Sequence, residues 1–236
     1  MNRKIITQIG SLPYDNIGEA VKYSLRHDIS FLPELPKLGD SMLDYIKNPG
    51  KLSCLDEFKR AVQGYDTVKV QCVGPATLIQ DKYDENEAVE RAYNHIYAIL
   101  DGLNAKEIIL FLDEPALGQA GFDYAKLWNA LFGSFKVISG VHTCGNMDWD
   151  RLLKADIGII SHNASEYDIT TLSLEYEKGI NGKRIAWGIN GGGDVRDFQE
   201  GDLLTLPCGI GSKLYSPDDA EKSLEMLIRV SKELQK

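Results

Sequence analysis

The chain has 236 residues, 43% of them hydrophobic, and a formal net charge of −9. That is enough apolar material for the core of one large domain, yet no apolar run reaches the length of about 18 residues that a membrane span needs. The acidic balance argues against nucleic acid as the main partner.

In chain order, short apolar runs alternate with amphipathic stretches. Strands are expected at Lys4–Leu12, Ser30–Leu35, Val68–Val73, Glu107–Leu112, Lys136–Val141, Ile157–Ser161, Arg184–Ile189 and Leu203–Pro207. Most are aliphatic throughout, the pattern of strands buried on both faces of a parallel sheet. Helical spacing of apolar residues marks Ile17–Arg26, Asn86–Leu103, Tyr124–Leu131, Trp149–Lys154 and Ile169–Tyr176. A last helix is expected after Ser216-Pro217-Asp218-Asp219, where a serine cap, an early proline and two acids form a strong start signal. Eight strand candidates with helices between them predict an α/β fold, a single compact (β/α)8 TIM barrel over residues 1–236. An open doubly wound sheet is the competing reading. The N-terminal residues pass straight into a strand-like segment, without the apolar stretch and cleavage site of a signal peptide. The four cysteines lack close pairing and read as reduced thiols. Together these features predict a cytoplasmic protein.

The chemistry gathers around three residues. His142 and Cys144 stand two apart in Val-His-Thr-Cys-Gly, and Cys208 follows in Leu-Pro-Cys-Gly. Residues at i and i+2 of a strand point to the same face, so one strand offers His142 and Cys144 to one ion. Imidazole with two thiolates is a zinc ligand set, and three protein ligands leave the exchangeable position of a catalytic site. The bland alternative is a satisfied core histidine and two small core hydrophobes. Placement decides between them. On the expected barrel, Ile9-Gly10-Ser11, Gly74-Pro75-Ala76-Thr77, Asp113-Glu114-Pro115, His142-Thr143-Cys144 and Cys208-Gly209 all fall at the C-terminal ends of strands, where active sites of such barrels form.

These words, in this order, resemble the catalytic domain of cobalamin-independent methionine synthase, in the barrel superfamily that also holds uroporphyrinogen decarboxylase. The resemblance implies a zinc ion on His142, Cys144 and Cys208 that takes a small thiol, usually homocysteine, as a thiolate for attack on a methyl group. It also implies that Gly10 and Ser11 hold the amino acid's carboxylate and that Asp113, counted as both catalytic and substrate-binding, holds its ammonium group, with Glu34 as a second acidic contact. Metal coordination deprotonates a thiol whose ordinary pKa is about 8.5. Two cysteine thiolates then lower the ion's charge and leave a third sulfur more nucleophilic.

Two departures from the family stand out. The family's fourth ligand is a carboxylate on the next strand, where this chain has Asn163, with Glu166 or His162 as substitutes and water as the remaining option. The glycine-rich loop at Gly191-Gly192-Gly193 holds no histidine where the family has a catalytic one. A single barrel also leaves no room for the family's folate-binding domain. The donor is therefore expected to be a methyl-corrinoid, carried by a partner protein, rather than folate. Two other readings are a metal-free decarboxylase of the uroporphyrinogen type, which needs clustered arginines, and a non-catalytic barrel that binds zinc or a thiol. Cys54 and Cys72 are expected as core residues, Trp149 as helix packing, and His27 and His95 as solvated. Glu114 is left between orienting a ligand and a surface or salt-bridging role.

Overall fold

The computed structural model describes residues 5–119, 124–178, 180 and 182–234. Lys4 and the residues before it, where a leader was judged absent, lie outside these, as do the last two residues of the chain. The described strands are β1 (Ser30–Phe31), β2 (Tyr65–Val73), β3 (Ala105–Asp113), β4 (Ile138–Thr143), β5 (Ile159–Asn163), β6 (Arg184–Gly188) and β7 (Leu203–Thr205). They form one seven-stranded sheet in sequential order, and every pairing is parallel.

Between strands run α1 (Ile17–Ser24), α2 (Met42–Tyr45), α3 (Leu55–Ala61), α4 (Pro75–Gln80), α5 (Glu85–Leu100), α6 (Tyr124–Phe132), α7 (Trp149–Lys154), α8 (Ile169–Leu172) and α9 (Leu174–Glu177), with α10 (Pro217–Leu234) last. Local chemistry sets the helix starts. The Asn16, Asp84 and Asp148 side chains accept from backbone N–H groups of the first turns of α1, α5 and α7, which satisfies donors that the helix itself leaves free. The helix expected at Ile169–Tyr176 is split at Ser173, whose hydroxyl caps α9.

The expected eight regular strands are corrected to seven, in a curled, barrel-like sheet that is not a closed eight-fold barrel. Residues 5–12 form only isolated bridges, Ile6 with Leu204 and Ser11 with Glu34. Their hydrogen bonds nevertheless reach both sides. Thr7 N–H donates to Leu204 O (3.0 Å), Ile29 N–H to Ile6 O (3.0 Å), and Glu34 N–H to Gly10 O (2.7 Å). Pro13 ends the segment, and a proline supplies no ladder donor. The first and last helices also meet: the Tyr23 hydroxyl of α1 donates to Ala220 O of α10 (2.9 Å), and Arg26 pairs with Glu221.

Alternation along the strands sorts the apolar residues into two cores. Inside the curl, Ile9, Ile29, Ile109, Phe111, Ile159, Ala186 and Leu203 pack together. Outside it, residues such as Val141, Ile160, Trp187 and Leu204 pack against the helices. Gly140 is small because Phe111 fills the interior there: a Cβ would stand 2.4 Å from its ring. Towards the C-terminal ends of the strands the interior turns polar, with Lys69, Gln71, Asp113, His142 and Ser161 all buried.

Candidate metal centre

His142 lies near the end of β4, paired with Asp113 of β3 on one side and Ser161 of β5 on the other. Cys144 follows that strand directly, and Cys208 lies three residues beyond β7. One ligand atom from each of His142, Cys144 and Cys208 lies within 4.8 Å of the others. His142 is buried, Cys144 half-buried and Cys208 exposed. The group thus sits at the rim of the polar end of the curl, open to incoming ligands.

The imidazole is already oriented. Its Nδ1 lies 2.9 Å from the buried Ser161 hydroxyl, and its Nε2 has no hydrogen-bond partner among the described residues. A histidine metal ligand needs this arrangement: one nitrogen held by a neighbour and the other free to coordinate. The Cys144 and Cys208 side chains are hydrogen-bonded to each other, and that bond, with the nearby His142 ring, pulls the Cys208 thiol down to about 4. The same hydrogen bond, then burial, pushes Cys144 up. Two adjacent sulfurs, one already ionised, beside an unpartnered imidazole nitrogen fit a soft divalent cation.

Of the residues considered for a fourth ligand, neither Glu166 nor His162 joins this group among the described residues. Asn163, two residues beyond Ser161 on β5, accepts from the Ser165 hydroxyl (2.6 Å). Glu166 is exposed. It lines, with Asn163, Ser165, Asn190, Cys208 and Tyr215, a cavity of about 260 Å³. His162 projects to the opposite face of β5 from Ser161 and lies edge-on between the indoles of Trp149 and Trp187. The side chain that faces His142 from β5 is Ser161.

The other candidate residues come together beneath the metal group. At the Ser11–Glu34 bridge, Glu34 N–H donates to Gly10 O and Leu12 N–H to Glu34 O, and Ile210 N–H donates to Ser11 O (2.9 Å), tying the Ser11 segment to the loop that carries Cys208. Gly209 permits this approach, since a Cβ there would stand 2.6 Å from that of Ser11. Glu34 and Asp113 are buried, and Glu34 Oε1 and Asp113 Oδ1 have no hydrogen-bond partner among the described residues. Burial raises both carboxyls above the usual range; the charge of Asp113 adds to the rise of Glu34, whereas His142 and Lys69 oppose that of Asp113.

Glu114 faces away from the metal group. Its carboxylate is fully buried and accepts from Ala76 N–H, Thr77 N–H, the Thr77 hydroxyl and Trp128 Nε1. It joins the end of β3 to the start of α4, so both a ligand-orienting and a surface role are corrected to a buried structural one. The expectation of solvated His27 and His95 is also corrected. Both are buried, His27 edge-on to Tyr23 and Phe31, and His95 stacked on Tyr45 at 4.3 Å. Cys54, Cys72 and Trp149 are buried, as expected.

Three interior residues escaped the sequence reading: Ser161, Lys69 and Gln71. A signal for the last two was present, because a lysine and a glutamine at i and i+2 interrupt an otherwise aliphatic strand. Comparison with protein-family models and with curated proteins gives no match for this chain.

Proposed function

We propose that this protein is a zinc-dependent methyltransferase that moves a methyl group onto a small thiol, homocysteine being favoured, in a methionine-forming reaction. The observation that carries the reading is the convergence of one imidazole and two thiols within 4.8 Å at the C-terminal ends of a parallel sheet. The same reading takes the fold as a (β/α)8 barrel whose remaining stave is the irregular segment 5–12. No helix among the described residues is long and apolar enough to cross a membrane, which is compatible with the cytoplasmic setting proposed here.

His142, Cys144 and Cys208 would hold the ion. When bound, zinc supplies the Lewis acidity that keeps a thiol ionised at neutral pH. The chain's own residues do the positioning. The Ser161 hydroxyl, in hydrogen-bond contact with Nδ1, would keep Nε2 turned to the ion. Asp113 and Glu34 take the ammonium group of the amino acid, and Gly10 and Ser11 lie beside its carboxylate. Methyl transfer between two held groups is mainly a problem of alignment, so no separate acid–base pair is required.

The cavity beside Cys208, at about 260 Å³, falls below the range of about 300–1,000 Å³ typical of sites that enclose a drug-sized ligand. That supports a donor presenting its methyl group from outside, as a methyl-corrinoid protein would. The decarboxylase reading gains no support from the interior, where no arginine is buried among the described residues. The test is an assay of homocysteine with methyltetrahydrofolate, methylcobalamin or a methyl-corrinoid protein, following methionine by mass spectrometry. Turnover is expected with the corrinoid donors. Efficient turnover with methyltetrahydrofolate overturns the donor assignment. Silence with every donor, despite bound zinc, moves the reading to a non-catalytic zinc- and thiol-binding barrel.

A further inference from the structure

The interior holds more charge than metal binding uses. Lys69 is fully buried. Its ammonium donates to Gln71 Oε1 (2.7 Å) and lies 4.6 Å from the centroid of the Phe111 ring. That same Oε1 accepts from Gly10 N–H (2.8 Å), which fixes Gln71 between the lysine and the Ser11 segment. Across this space lie Glu34 and Asp113, each with an oxygen that has no hydrogen-bond partner among the described residues.

The groups that act on Glu34 are few. Asp113 faces it from β3, Lys69 and Gln71 from β2, and Asp40 from the turn before α2. Cys72 of β2 and the Tyr45 hydroxyl of α2 are also within its field, both neutral because burial pushes them up. Asp40 is satisfied elsewhere, accepting from Leu35 N–H and from the Ser53 N–H and hydroxyl. The interior therefore sets two carboxyl groups against the one ammonium of Lys69. A buried charge without a partner costs more than protonating the group that bears it. Lys69 favours the ionised form of both carboxyls, but Glu34 has Asp113 as its foremost charged neighbour and, as a glutamate, the higher ordinary pKa. The odd proton falls to Glu34.

We propose that Glu34 carries a proton while the pocket is empty and releases it when a primary ammonium group binds, so that the site selects aminothiols by exchanging one cation for another. The inference rests on the thiol reading above and adds a proton-exchanging specificity residue to it. No covalent bond changes: the proton passes from the Glu34 carboxyl to solvent, and the ligand's ammonium replaces its charge.

Proton release on binding reads this directly. Titration calorimetry of the zinc-loaded protein near neutral pH, in buffers of different ionisation enthalpy, counts protons for homocysteine and for 3-mercaptopropionate, a thiol acid without the amine. Both ligands lose their thiol proton, so that contribution cancels. Homocysteine should release about one proton more than 3-mercaptopropionate, and its affinity should climb about tenfold per pH unit more steeply on the acid side. In Glu34→Gln, which keeps the shape of the side chain, the extra proton should vanish. Equal counts for the two thiols in the unmodified protein overturn the inference and leave the thiol reading standing. An undiminished extra proton in Glu34→Gln overturns the assignment to Glu34, and the unmodified protein alone decides the matter if that variant does not fold. Binding of neither thiol overturns the thiol reading and this inference together.

Discussion

His142 Nδ1 and the Ser161 hydroxyl lie 2.9 Å apart across paired positions of β4 and β5. The contact fixes the ring's orientation before any ion arrives. Removing the hydroxyl in Ser161→Ala should therefore weaken zinc binding by about 10–100-fold, the usual effect of losing a ligand's supporting partner. The fold should be kept, because the change deletes one atom from a buried position. Competition with a chromophoric chelator measures it, and unchanged affinity contradicts the role given to Ser161.

Asp113 stands beside the metal group without belonging to it. Its register partner is His142, and its Oδ1 has no hydrogen-bond partner among the described residues. Asp113→Asn should weaken homocysteine binding by at least about tenfold, in line with the loss of a charge-assisted contact, and leave zinc content unchanged. Calorimetry and metal analysis separate the two effects. Equal homocysteine affinity in both proteins counts against a substrate-binding Asp113.

The buried histidines give the fold a defined acid sensitivity. Burial lowers His27 and His95 from 6.5 to about 4. A base whose folded-state pKa is lowered is neutral in the fold, so its full contribution to stability is present above its unfolded value. That contribution is lost as pH falls from about 6.5 towards about 4. Between neutral pH and about pH 5 each histidine should cost about 2 kcal/mol of unfolding free energy. Urea denaturation at the two pH values measures the loss. His95→Gln keeps an acceptor for the Gly50 N–H that now donates to Nδ1 and, because burial lowers His162 to about 4 as well, should reduce the acid loss by about a third. An identical loss in the variant contradicts this account.

Much of this architecture was legible in the chain. Aliphatic runs such as Val68–Val73 and Glu107–Leu112 fall within strands, because a parallel sheet covered on both faces demands them. Trp149–Lys154 was matched at both ends, since Asp148 caps it. The metal group was legible because a histidine and two cysteines are rare residues at strand ends. The eighth strand was not. Residues 5–12 have a strand's composition, but their pairing depends on contacts with Leu204, Ile29 and Glu34, far along the chain. Ser161 was hidden for the same reason. Its role depends on the register between β4 and β5, which sets Ser161 beside His142. His27 and His95 show the limit of local polarity as a guide, for polar neighbours in a helix say nothing of which face is covered.

The central claim is that His142, Cys144 and Cys208 hold one zinc ion. The most direct measurement is metal analysis of the unmodified protein and of Cys208→Ser, both purified without chelator, with circular dichroism to check the fold. About one zinc per chain is expected in the first, and a largely empty site with an unchanged spectrum in the second. An unmodified protein without zinc, or a folded Cys208→Ser that retains the full complement, would contradict the account.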